Sequence, residues 1–360
     1  MVVVFRLPIS NLSKALNFFD RIIGSQEKRG LVFFSQKNLY LAGGDDFLNA
    51  FLMIKPNVHL PYAYSFPLDP LRPFVKDKTD KDVKIELASS LKFITPNEKL
   101  ILNIQPTSIS FTPIKGESLG IIPVQTLKKI LDLASIISQE GEKIFLFFQK
   151  AHLGAWSENH LLISCAFTPI LSSLTHNFTV PYTSTRHLVK ALDFISEKQA
   201  SLFFTSQSLL ISLPQLKISL RLISEENNAL GLLKSLLTTK PLAKFKIELP
   251  AFKKTLSRLA RIQKQLNAIG SITLMSEKCI FKISSSQGSY SFILPLKMSL
   301  KQCFTINCHF YLLNSLFSRL KGKEFNISIL PSGWLLKHDQ YFCFLKKPKN
   351  IKFSKSPYAM

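Results

Sequence analysis

The chain is 360 residues long and 46% hydrophobic, with 30 phenylalanines and a formal net charge of +23. That length exceeds what one core comfortably holds, and the apolar content excludes a disordered polymer, so two or three folded domains are expected. Five cysteines (Cys165, Cys279, Cys303, Cys308 and Cys343) make no disulfide framework, and no apolar run approaches membrane-spanning length. The apolar run of residues 1–5 is cut short by Arg6 and patterned as a strand rather than a signal peptide. These features predict a cytoplasmic chain with no membrane partner.

Phe5, Leu7 and Ile9 alternate with polar or turn residues, which predicts a half-buried strand. Leu12, Leu16, Phe19 and Ile23 then step by three and four, the period of an amphipathic helix. Val32-Phe33-Phe34, the turn Ser35-Gln36-Lys37-Asn38 and Leu39-Tyr40-Leu41 read as a hairpin, and Phe51-Leu52-Met53-Ile54 as a further strand. The unit is a strand, a helix and a meander of strands. A second, weaker copy begins at Phe66-Pro67-Leu68, where Pro70 and Pro73 leave room only for a short helix.

The third copy runs from Ile122-Pro123-Val124 into Leu127, Leu131 and Ala134, with strands around Ile144 and Leu161. In the fourth, Leu188, Leu192 and Ile195 mark the helix, and the run from Phe203 to Ile211 repeats the first hairpin. The fifth copy matches the first without a gap. Phe245-Lys246-Ile247-Glu248-Leu249-Pro250 lies on Phe5-Arg6-Leu7-Pro8-Ile9-Ser10, and the match continues to Arg261 over Arg21 and Ile262 over Ile22. A sixth runs from Phe304 through Leu312, Leu316 and Leu320 to strands near Phe325 and Tyr341. Self-similarity at a fixed offset marks an architecture of repeated units. The expected fold class is therefore α+β, with three domains, each a tandem pair of strand–helix–meander half-domains. The boundaries fall at 1–116, 117–240 and 241–348, with a basic tail at 349–360.

The charge is unevenly placed. From residue 242 onward there are 20 Lys+Arg against 4 Asp+Glu, a bias that points to nucleic acid, an anionic surface or an acidic partner. In the fifth copy's helix Phe252, Leu256, Leu259, Ile262 and Leu266 share one face, while Lys254, Arg258, Arg261 and Lys264 step along the other beside Lys253. Lys14 and Arg21 hold the equivalent face of the first helix. Lys128 and Lys129, Arg186 and Lys190, and Arg319 with Lys321 lie in or just after the other helices. The recurrence predicts a phosphate-facing surface built from these thirteen residues. The tail, with Lys346, Lys347, Lys349, Lys352 and Lys355 in or beside it, reads as a solvated electrostatic arm.

Catalytic patterns do not assemble. Gly43-Gly44-Asp45-Asp46-Phe47 resembles the metal-holding loop of diguanylate cyclases, but it comes too early in the chain and sits where the repeat needs a turn. Cys303, Cys308 and His309 lack a second pair of ligands at metal spacing. No phosphate-binding glycine loop, G-x-S-x-G elbow or H-E-x-x-H occurs. A non-catalytic protein without cofactor or metal is expected.

Six half-domains in three pairs with basic helices resemble the bacterial DNA polymerase sliding clamp. The likeness is most specific at Phe304-Thr305-Ile306-Asn307 with Tyr311-Leu312-Leu313, at Leu39-Tyr40-Leu41-Ala42-Gly43-Gly44-Asp45-Asp46, and from Phe245 to Ile262. The resemblance implies a homodimeric ring whose helices line a hole for duplex DNA. It also implies polymerase and clamp-loader partners that dock short hydrophobic peptides. The chain departs from the family in its overall basicity, and Ala166-Phe167-Thr168-Pro169-Ile170 and Phe344-Leu345-Lys346-Lys347-Pro348 replace the usual peptide-cleft sequences. Only the apolar positions Phe148, Phe167, Ile170 and Phe344 are carried over to that cleft. Two other readings of the same fold stay open: a monomer gripping DNA through its basic third domain, and a scaffold for an acidic protein or RNA.

Overall fold

Each copy of the repeat lends its lead-in strand to its partner copy, and takes one in return. The computed structural model describes residues 2–24, 30–35, 37–76, 81–107, 116–149, 151–170, 175–223, 229–296, 300 and 302–347. In the first pair, Val3–Pro8 pairs antiparallel with Asp82–Leu87, and Ala63–Pro67 pairs with Gly30–Ser35. In the second, Glu117–Pro123 pairs with Gln199–Phe204, and His176–Pro181 with Lys143–Gln149. In the third, Ala243–Glu248 pairs with Glu324–Leu330, and Phe304–Cys308 with Ile269–Met275. The reciprocal exchange makes three two-copy assemblies from six half-domains, the α+β architecture expected from the repeats.

The helices are α1 (Ile9–Ile23), α2 (Leu71–Val75), α3 (Val124–Ser135), α4 (Tyr182–Ala191), α5 (Ala229–Thr238), α6 (Leu249–Leu266) and α7 (Phe310–Ser318). A common corner starts four of them. The first helical N–H donates to the carbonyl just before the partner strand: Ile9 to Lys81, Val124 to Lys198, Tyr182 to Glu142 and Leu249 to Lys323, at 2.8–3.0 Å. These bonds satisfy an N–H that a helix start leaves open, so α1, α4 and α6 begin without a side-chain cap. The alternating strand pattern and the helical stripe thus meet through the same bond in those four copies.

By internal contacts the chain divides into two compact units, one of residues 1–131, 140–153 and 169–225, the other of residues 132–139, 154–168 and 226–360. The first unit contains a four-stranded sheet in the order Val3–Pro8, Asp82–Leu87, Ser90–Ile94, Lys99–Asn103. It also contains a nine-stranded sheet in which Leu216–Arg221 joins Leu48–Pro56, from Leu216↔Leu52 to Leu220↔Leu48. In the second unit, Leu162–Pro169 joins Tyr341–Lys346, and a four-stranded sheet runs Gly288–Pro295, Lys278–Ser285, Ile269–Met275, Phe304–Cys308. Asp82–Leu87 alternates buried and more exposed residues, whereas Leu162–Pro169 and Tyr341–Lys346 are buried at nearly every position, on both faces.

Aromatic side chains supply much of the core. Phe252 of α6 lies 4.9–5.9 Å, ring centre to ring centre, from Phe281, Phe317 and Phe325, and is 1% exposed. Burying a side chain of this size is worth roughly 1.5–3 kcal/mol. Close approach fixes two glycines. A Cβ at Gly270 would stand 2.2 Å from the Phe310 ring. At Gly24, whose φ is +65°, it would stand 2.0 Å from the His187 ring.

Four details differ from the sequence expectation. Helix α5 was not expected. The fourth copy's helix ends at Ala191 and tightens into a 3-10 turn, Leu192–Phe194, which still buries Leu192 and Ile195. Helix α7 stops at Ser318, before Leu320, and α6 turns Gln263 inward while Ile262 and Leu266 are only half-buried. The tail at 349–360, with Lys349, Lys352 and Lys355, lies outside the described residues, as does Gln36 of the first turn.

Candidate nucleic-acid interface

Helix α6 presents the clearest cationic face. Pro250 stands in the first turn of this 18-residue helix, and Asn267 closes it in the left-handed conformation. Leu249, Phe252, Leu256, Leu259 and Ala260 are buried, and Lys254, Arg258, Arg261 and Lys264 are exposed on the opposite side. The Arg258 guanidinium lies 5.6 Å from the centre of the Tyr290 ring, which restrains that side chain. Lys253 is used differently: its Nζ donates to Leu320 O and, at 3.5 Å, to Ser318 O, satisfying carbonyls at the C-terminal end of α7.

Beside α6 in the second unit, Arg319 donates from Nε to Asp132 Oδ2 at 2.6 Å and from Nη1 to Ser315 O at 2.8 Å, whereas Lys321 is exposed with no ion pair among the described residues. In the first unit α1 packs against α4. Arg21 lies 6.0 Å from the Phe194 ring, and its carbonyl accepts the His187 Nδ1 proton at 2.9 Å. Lys14, Arg21 and Lys190 are exposed and Arg186 is half-buried. On α3, Lys129 is exposed, but Lys128 is ion-paired with Asp193. Among the thirteen cations, Lys128, Arg319 and Lys253 are therefore committed to partners in the protein.

The four apolar positions expected at a peptide cleft are largely spent on the core. Phe148 and Ile170 belong to the first unit and are 0% and 5% exposed; Phe344 belongs to the second and is 4% exposed. Phe167, also in the second unit, is half-buried. Phe148 packs its ring 5.7 Å from Phe178.

The groups with chemical potential serve structure. Asp45 Oδ1 accepts the backbone N–H of Phe47 at 2.8 Å and of Leu48 at 2.7 Å, so this carboxylate shapes the turn between two strands. Burial pushes the Cys279 and Cys343 thiols up to about 12 and raises Cys165 and Cys308 as well, which keeps them protonated at neutral pH. Cys303 is exposed. Among the described residues no cluster of three or more His, Cys, Asp or Glu side chains is placed to hold a metal ion, and no helix is long and apolar enough to cross a membrane. The sequence missed two participants: Gln263, which sits on the buried stripe, and Tyr290, which carries Arg258.

The strand exchange, the repeated corner and the cation-faced helices define a DNA-clamp fold. Among solved structures, the chain is similar to a protein of Eubacterium rectale assigned as a DNA polymerase III beta subunit, with a TM-score of 0.84 and 14% identity over 98% of this chain and 100% of that one. It is similar also to the DNA polymerase III beta subunit of Thermotoga maritima (TM-score 0.82, 12% identity, 98% of this chain and 100% of that one). The beta sliding clamp of C. crescentus matches at a TM-score of 0.82 and 11% identity, over 96% and 99% of the two chains. No protein-family model and no curated protein matches the sequence. At such low identity the likeness is one of fold. The chain has the fold of the beta sliding clamps, across nearly its whole length.

Proposed function

We propose that two copies of this chain close head to tail into a ring that encircles duplex DNA without reading its sequence. The ring then tethers a replicative polymerase and other partners after loading by a clamp loader, in the cytoplasm at the nucleoid. The observation that carries this reading is the exposed row Lys254, Arg258, Arg261 and Lys264 on α6, opposite its buried face, in a chain with the beta-subunit fold. Lys14, Arg21, Lys129, Arg186, Lys190 and Lys321 extend the same character to α1, α3, α4 and the end of α7. Such cations meet phosphates and carry no base information, which suits a protein that must slide. Enclosure supplies persistence, so no single contact needs to be tight, and the protein performs no chemistry of its own.

The domain boundaries we propose are 1–116, 117–240 and 241–348. Ring closure would join two sheet margins: Lys99–Asn103 of the first four-stranded sheet and Gly288–Pro295 of the last. Each is an outermost strand, and each exposes an isoleucine, Ile101 at 53% and Ile293 at 55%. An outermost strand with exposed apolar side chains is a template for pairing with another chain. Light scattering at micromolar concentration tests this: the reading expects about twice the 40.8 kDa chain mass. A monomer mass up to the highest soluble concentration would favour the second reading, a monomer gripping DNA through the basic last third, where 20 Lys+Arg face 4 Asp+Glu.

A further inference from the structure

We propose that the outer face of the first four-stranded sheet is a second docking surface for the phosphate backbone of duplex DNA, separate from the cationic helices. Phe5, Leu7, Val83, Ile85, Leu91 and Phe93 turn to the core side of this sheet. The alternate residues form ordered rows across all four strands on the other side. One row reads Arg6, Lys84, Ile94, Lys99; the next reads Val4, Glu86, Lys92, Ile101.

Register makes these rows unusual. Arg6 and Lys84 are directly opposite in an antiparallel pair, an arrangement in which like charges destabilise a sheet. Lys55 adds to the crowding, since its Nζ donates to Arg6 O at 3.2 Å. Arg6, Lys84 and Lys81 also line one open depression with Asp82 and Thr95. Across the two rows four cations face one carboxylate. That carboxylate, Glu86, reports the local field: a hydrogen bond from Lys84 Nζ at 2.7 Å, together with the charges of Lys84, Lys92 and Lys99, holds it below the ordinary carboxylate range. One resident anion does not neutralise the face, and an extended polyanion would.

The chemistry of the rows selects the polyanion. Neighbouring strands lie about 5 Å apart, so the cations form a flat array that meets several phosphates at once. The two rows carry no aromatic ring, so bases have nothing to stack on, and single strands gain little. A duplex, with its bases covered and its phosphates outermost, matches that surface. Such a contact would hold DNA alongside the protein as well as within it.

The test uses a short linear duplex with bulky groups on both ends, which no closed ring can thread, bound to the full chain over a range of salt. The variant Arg6→Gln, Lys84→Gln, Lys92→Gln, Lys99→Gln is compared with Lys254→Ala, Arg258→Ala, Arg261→Ala, Lys264→Ala, with unchanged circular dichroism required of both. The pair Lys92→Gln, Lys99→Gln serves if the fourfold sheet variant unfolds. The sheet variant is expected to flatten the slope of log affinity against log salt by about 3 to 4, since each phosphate contact contributes about 0.9; the pair should flatten it by about 2 on the same basis. The helix variant should leave binding to the blocked duplex unchanged; retention on circular DNA is compared in Arg6→Gln, Lys84→Gln, Lys92→Gln, which spares the Lys99–Asn103 strand proposed to close the ring and should leave retention unchanged. Loss of blocked-duplex binding in the helix variant alone would overturn the proposal. So would displacement of the duplex by poly-glutamate at equal charge concentration, which would make the face a site for acidic peptides.

Discussion

Gln263 Oε1 accepts the backbone N–H of Phe310 at 2.6 Å and that of Tyr311 at 3.4 Å, while its Nε2 donates to Cys308 O at 3.4 Å. One buried amide on α6 therefore satisfies the start of α7, a helix whose N-cap, His309, makes no capping bond of its own. The cationic face of α6 is held in place partly by a polar group on its buried side.

Gln263→Ala should accordingly lower stability by about 2 kcal/mol, because it leaves buried backbone groups unpaired. The loss should appear as a lower denaturation midpoint for the second unit. Gln263→Glu should be no better, since it keeps the acceptor, loses the donor and buries a charge. Wild-type stability in Gln263→Ala would mean that α7 does not depend on this bond.

How much of this was legible in the sequence follows from what each feature depends on. The strand–helix–hairpin unit was readable because alternation and the three-four step are local, and the offset of 240 residues between Phe5 and Phe245 displayed the repeat directly. Helix α5 was not: Leu232, Leu233, Leu236 and Leu237 do recur at helical spacing, but the segment precedes the fifth copy's lead-in strand and belongs to no copy of the repeat, so the repeat pattern offered no place for it. Gln263 follows Phe252, Leu256 and Leu259 at the spacing of the buried face, but its polarity suggested solvent. The opposition of Arg6 to Lys84 depends on strand register between distant segments, which local pattern does not specify. Phe148 and Phe344 came to the cleft only by the resemblance, and their burial is not readable from an apolar residue type.

Replacing Lys254, Arg258, Arg261 and Lys264 by Ala should weaken binding to unblocked duplex without sequence preference and flatten its salt slope by about 3 to 4. Lys253→Ala should behave differently, because its amine satisfies carbonyls after α7. It should cost about 1 kcal/mol of stability and leave the slope nearly unchanged. Equal slope losses per residue from Lys253 and its neighbours would show that Lys253 leaves its carbonyl partners for phosphate.

A pH effect should localise to His309. Burial first, and then the neighbouring His160, hold its imidazole below the ordinary 6.5. The unfolded chain therefore binds this proton more readily than the folded one, and stability falls as pH drops through 6.5 until the folded value is passed. Melting temperature should decline across that window, and His309→Asn should remove part of the decline. His160 meets it edge-on at 6.5 Å and Tyr311 lies tilted at 5.2 Å, so His160→Asn should reduce the effect less than His309→Asn does. An identical pH profile in His309→Asn would assign the proton elsewhere.

Exposed isoleucines on the outermost strands give a test of association. Ile101→Lys and Ile293→Lys should each weaken self-association by tenfold or more, since burying such a side chain is worth roughly 1.5–3 kcal/mol. Sedimentation over a concentration series would measure this. Unaltered association in the double variant would place the interface away from these strands.

The most direct measurement of the central claim is retention on DNA of defined topology. The protein, loaded onto nicked circular duplex in moderate salt, is followed by gel filtration before and after the circle is cut once. Encirclement predicts that it stays on the intact circle and is lost when the DNA is linearised. Equal retention on both forms would contradict encirclement and leave a protein that holds DNA only by its charged surfaces.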